Sequence, residues 1–178
     1  YEEYVLPAYH ERGDKLHSAG KWICSHWDGD TKALLKYARI SNLDGIEAIT
    51  PKPQGDVTLE EVKDALGDDI FLLDGIPAVY FDETFSRDVL AECVNRLIDL
   101  FAPRLVLGIS DELSSTGDIE RIRLVSEIVD AYNANPASAA RLCSPDTSIA
   151  APNQAKPMCS IASSFTAIAR QNCQARER

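Results

Sequence analysis

The sequence predicts an α/β protein of the (β/α)₈ barrel type, with four consecutive strand–helix units present in the chain. Three observations carry this. Short apolar segments alternate with amphipathic helical segments over residues 1–134. The apolar segments read as strands covered on both faces, which implies a parallel sheet under helices. No Gly-rich phosphate turn follows any of them, so a dinucleotide-binding sheet has no support.

The elements follow in order. Residues 1–19 read as a helix, with Val5, Leu6, Tyr9 and Leu16 at helical spacing and Gly20 as a stop. Residues 21–27 form the first strand, which runs into the turn Asp28-Gly29-Asp30, and residues 31–41 read as its helix. Residues 45–50 form the second strand. Thr58 and Glu61 make a capping box for a helix over Leu59–Leu66, closed by Gly67. The third strand spans 69–73 and stops at a turn, Asp74-Gly75-Ile76-Pro77. A long helix follows Ser86, presenting Val89, Leu90, Val94, Leu97, Ile98 and Phe101 on one face, and Pro103 closes it. Residues 104–109 form the fourth strand. The last helix starts near Asp118 and turns Ile119, Ile122, Val125, Ile128, Val129 and Tyr132 inward. Residues 135–178, rich in Ala, Ser and Pro, lose the pattern and read as a low-order tail.

Charge excludes some partners. Residues 1–134 carry 13 Lys+Arg and 26 Asp+Glu, and the whole chain has a formal net charge of −10. So acidic a body is repelled by nucleic-acid phosphates and anionic membranes. No apolar run is long enough for a membrane helix. The five cysteines form no C-x-x-C pair, and Cys24 and Cys93 fall in apolar patterns as small buried hydrophobes. This cysteine usage fits a reducing, cytoplasmic setting. The first residue is Tyr1 and the only Met is Met158, so the chain is expected to be a fragment.

In a β/α barrel, chemistry gathers at the C-terminal ends of the strands. The first strand ends in His26, Asp28 and Asp30, the second in Glu47 and Thr50, the third in Asp74, and the fourth in Ser110, Asp111 and Glu112. His26 and Asp28, two apart on a strand, share a face. They can hold a divalent metal, act as an acid–base couple, or form a structural hydrogen bond. Glu47 lies in an apolar strand, where a buried carboxylate must be paired, bound to a cation or protonated. Asp74 reads first as a turn former and second as a site residue. His10 and His17, on the first helix, read as surface or packing residues.

Several segments together resemble the C-terminal half of the uroporphyrinogen-decarboxylase superfamily. They are Tyr4-Val5-Leu6-Pro7, the stretch Lys21 to Asp30 around His26-Trp27-Asp28-Gly29, Leu43-Asp44-Gly45-Ile46, residues 55–63, Asp74-Gly75-Ile76-Pro77, Leu107 to Glu112 and residues 117–121. The resemblance covers residues 1–134 and implies the last four units of a (β/α)₈ barrel. It implies one of two chemistries. The first is methyl transfer between a corrinoid protein and a thiol, helped by zinc or another divalent metal. The second is metal-free decarboxylation of a tetrapyrrole in porphyrin biosynthesis. In the metal-binding pattern, His26 matches the family's His, Asp28 stands where a Cys is usual, and Ser110 falls near a later Cys. The similarity of H-x-D-G and D-G-I-P favours the methyltransferase branch. The expected metal ligands are therefore His26, Asp28 and Ser110, with Glu47 and Asp74 as catalytic residues, Glu47 serving as a base or a further ligand. A small-molecule substrate and a corrinoid partner protein are the expected partners. Four units cannot close a barrel alone, so a silent half-barrel, or pairing of two copies as a homodimer, is the remaining expectation.

Overall fold

A computed structural model describes residues 1–135, and all but the first residue of the predicted tail at 135–178 lies outside the described residues. Four strands form one all-parallel sheet in the order β1 (Cys24–His26), β2 (Gly45–Glu47), β3 (Phe71–Pro77), β4 (Leu105–Ser110). Helix α1 (Val5–Ser18) precedes β1, α2 (Leu59–Leu66) links β2 to β3, α3 (Arg87–Phe101) links β3 to β4, and α4 (Ile119–Ala134) follows β4. Sequential strands pair in parallel because each connection is long enough to return the chain to the same end. The α/β class and the strand–helix alternation are thus as the sequence predicts.

The core lies between the sheet and its helices. Ile46, Leu72 and Ile76 of the strands meet Val62 and Leu66 of α2 and Leu90, Val94, Leu97 and Phe101 of α3. The α3 residues recur at four- and three-residue steps, so one stripe of the helix enters the core. Local signals set the ends of the helices. The Thr58 hydroxyl accepts the Glu61 N–H while the Glu61 carboxylate accepts the Thr58 N–H, the predicted capping box. Ser86 caps α3 through the Val89 N–H, and Asp118 caps α4 through the Glu120 N–H.

Several local expectations are corrected. The predicted helix at 31–41 is a turn followed by a short 3₁₀ helix, Leu35–Ile40. Both the N–H and the hydroxyl of Ser41 bond to the Ala38 carbonyl, which tightens the end, and Asn42 leaves the helix at φ 60°. The second strand ends at Glu47, not at Thr50, because Ala48 takes a left-handed φ of 64°. The third strand does not stop at residue 73. It runs to Pro77 through the residues read as a turn. Cys24 is exposed, not buried; its thiol is still pushed up, first by the protein packed along one side and then by Asp44 and Glu47. Val89 and Ile119 face solvent, Ile119 with half its surface exposed.

The first-helix histidines act as ties. His10 Nε2 lies 2.5 Å from the Ile40 carbonyl oxygen. His17 Nε2 lies 2.9 Å from Asp44 Oδ2, which also accepts the Ile23 N–H at 2.7 Å. That carboxylate joins α1 to the entry of β2.

Candidate functional site

Strand register decides which polar groups meet. Cys24 aligns with Gly45 and Phe71, Ser25 with Ile46 and Leu72, and His26 with Glu47 and Leu73. Ser25, Ile46 and Leu72 form the row on the helix side, where Ser25 bonds to the Tyr9 hydroxyl of α1. Residues one step on point the other way. His26 and Glu47 therefore stand side by side on the opposite face, at the C-terminal ends of β1 and β2.

His26 Nδ1 and Glu47 Oε2 are 3.4 Å apart, with side chains 50% and 47% exposed. The expectation of a buried Glu47 carboxylate is corrected by this. Ile46 of β2 serves the helix side, and Glu47, one residue on, is half exposed on the opposite face.

Asp74 completes the cluster by a kink. Its φ is 73° and that of Gly75 is 101°, inside an otherwise regular strand. A non-glycine residue held there costs on the order of 1–3 kcal/mol, so the surroundings must impose it. The kink carries the Asp74 carboxylate over Gly108 and into the field of Glu47. Burial, and after it the Glu47 charge, push Asp74 up to about 6, while the Ala48 N–H and His26 pull it down in part. A Cβ at Gly108 would collide with Asp74 Oδ1, so the glycine of β4 makes room for this carboxylate.

The other predicted residues lie apart from this cluster in role. Asp28 is exposed, and its Oδ1 accepts the N–H of Gly29 at 2.6 Å. Ser110 is fully buried; its hydroxyl donates to the Ile49 carbonyl at 2.9 Å and accepts the Gly75 N–H at 3.1 Å. Among the described residues, no group of three His, Cys, Asp or Glu side chains is placed to hold one metal ion. The structure thus pairs His26 with Glu47, sets Asp74 within their field, and ties Ser110 into the backbone. The Ala48 amide and Gly108 are site components missing from the sequence reading. An isolated glycine in the apolar run Leu105–Ser110 was the available signal for the second. Nothing marked the first, because backbone amides carry no sequence label.

No known protein-family model matches this chain, and a search of curated proteins returns no match. Among the described residues no helix is long and apolar enough to cross a membrane.

Proposed function

We propose that this chain supplies half of a (β/α)₈ barrel of the uroporphyrinogen-decarboxylase type, and that its strand-end cluster serves metal-assisted methyl transfer to a thiol. The observation that carries the reading is the separation of His26 Nδ1 and Glu47 Oε2, 3.4 Å. Two ligands at about 2.0–2.1 Å from a tetrahedral metal stand roughly 3.4 Å apart. The pair therefore fits two adjacent corners, and its half-exposed side chains leave the remaining positions open to substrate. No third His, Cys, Asp or Glu among the described residues extends the set, and the Ser110 hydroxyl is already bonded to Ile49 and Gly75. A bound divalent metal supplies Lewis acidity that favours the thiolate form of an acceptor. Asp74, held at about 6, is largely ionised at neutral pH and accepts the thiol proton. The methyl donor is a corrinoid carried by a partner protein.

The test is metal binding by the full chain. Titration with zinc or cobalt(II) is expected to show one site that His26→Ala and Glu47→Gln each weaken by about tenfold or more. Equal, negligible binding in all three proteins removes the reading.

One observation favours a second reading. A carboxyl near 6 remains partly protonated around neutrality and can donate a proton to carbon, which metal-free decarboxylation requires. Turnover of a tetrapyrrole carboxylate that a chelator leaves unchanged decides for it.

A further inference from the structure

We propose that Asp44 is the positioning residue of the His26–Glu47 pair: its side chain and backbone together clamp Ile23 and so fix the β1–β2 register that sets His26 beside Glu47. The proposal rests on the reading of His26 and Glu47 as metal ligands.

β1 and β2 pair over a short ladder, Cys24–His26 against Gly45–Glu47. So short a ladder specifies its register weakly, and side-chain burial helps only in part. A slip of one residue is opposed, because it turns the buried Trp27 away from the helix side. A slip of two residues keeps every side chain on its own face. It leaves His26 opposite Gly45 or Ile49, and neither has a side chain that can bind a metal.

Asp44 works against that slip from the base of the ladder. Its Oδ2 accepts the Ile23 N–H at 2.7 Å, and its own N–H donates to the Ile23 carbonyl at 2.9 Å. One residue thus holds both polar groups of the Ile23 backbone. Ile23 precedes His26 by three residues, as Asp44 precedes Glu47, so this clamp and the His26–Glu47 contact belong to the same register. The Asp44 carbonyl accepts the Phe71 N–H at 2.8 Å, which ties the clamp to β3 as well. The carboxylate is itself steadied by α1, since His17 Nε2 lies 2.9 Å from the oxygen that takes the Ile23 N–H. Among the side-chain bonds of the described residues, only Ile23–Asp44 and His26–Glu47 join the β1 and β2 segments. The second is the pair to be positioned, so the first supplies the independent constraint. Asp44 stands roughly 10 Å along the strand from Glu47 and acts through backbone alone.

Amide-resolved hydrogen exchange of the full chain in chelator, and cobalt(II) titration without it, test this. The Trp27 amide reports the far end of the ladder, because it donates to the Glu47 carbonyl. In Asp44→Ala, the Ile23 and Trp27 amides are both expected to exchange at least about tenfold faster, while Leu97 in α3 keeps its rate. Cobalt(II) affinity is expected to fall about tenfold. Asp44→Asn keeps an oxygen for the Ile23 N–H and is expected to restore both protection and affinity. Faster exchange at Ile23 with Trp27 unchanged overturns the proposal, because Asp44 is then only a local partner. Equal acceleration at Leu97 overturns it as well, and so does an unchanged affinity where the wild type binds the ion. A wild type that takes up no cobalt(II) removes the metal reading instead, and the exchange rates alone then decide for or against Asp44. Should the alanine variant not fold, the asparagine variant decides: wild-type protection at Ile23 and Trp27 supports the proposal, and loss at Trp27 with Ile23 still protected sinks it.

Discussion

The centre of the sheet and its β4–α4 flank are written in similar sequence and buried very differently. On α3, Leu90, Val94 and Leu97 have no exposed surface. On α4, Ile122, Val125, Ile128 and Tyr132 recur at the same helical spacing, and each stays only partly buried against the core. The one buried residue of α4 is an arginine, Arg121. The cause is position. Among the described residues, β2 and β3 have a strand on each side, whereas β4 has β3 on one side only. An amphipathic stripe tells which way a helix faces. How much of the stripe is covered depends on what stands beside it.

The comparison predicts a graded series of losses, measured as shifts in denaturant unfolding midpoints. Leu97→Ala, at the fully buried centre, is expected to cost about 3–5 kcal/mol. Val125→Ala on the flank is expected to cost about 1 kcal/mol or less, for a smaller and half-covered side chain. Equal losses at the two positions break the comparison.

Arg121→Met sharpens it. Arg121 is 5% exposed, and its guanidinium donates to the Tyr80 and Phe85 carbonyls at 3.0 and 2.7 Å, with Asp118 beside it at 3.9 Å. Charged hydrogen bonds therefore add to the partly covered apolar stripe in fastening α4 to the segment after β3. Their loss is expected to cost about 2 kcal/mol, more than any apolar truncation on the same helix.

Asp74→Asn tests the other side of the sheet, with a sign opposite to the rest. The folded-state value of about 6 lies above the ordinary 3.8, so the native state holds a proton that the unfolded chain releases between those values. Stability from this group is greatest below about 4 and falls as pH rises to about 6, beyond which the penalty is complete. The asparagine variant is expected to be more stable than wild type at pH 7, by about 1 kcal/mol after discounting for the half-exposed carboxyl, and to lose that advantage by pH 4. Thermal unfolding at the two pH values checks it. A constant difference assigns the effect to packing.

Ile119→Ser is the smallest effect expected, within about 0.5 kcal/mol, since half of the residue already faces water.

Much of the architecture was legible because its causes are local. The capping box at Thr58 and Glu61 and the stripe from Leu90 to Phe101 act within a few residues of one chain segment, and both stand as predicted. Elements whose fate depended on neighbours were misread. The 31–41 segment carried helical spacing but was tightened by the Ser41 bonds. Asp74-Gly75 looked like a turn because the same residue types serve a kink inside a strand.

The candidate site divides in the same way. His26, Glu47 and Asp74 were each legible as polar groups at strand ends, and so was Ser110. Their roles were not. That His26 faces Glu47 follows from the β1–β2 register, and that Ser110 binds the Ile49 carbonyl and the Gly75 amide follows from how three segments pack together.

The sequence by itself determined the order of strands and helices, the caps and the acidic strand ends, because hydrophobic periodicity and short-range hydrogen bonds suffice for these. Only the tertiary structure decided which carboxyl is perturbed and which hydroxyl is spent on backbone. Electrostatic fields and buried hydrogen bonds depend on distance through space, and residues 26, 47, 74 and 110 become neighbours only when the strands pair in one register.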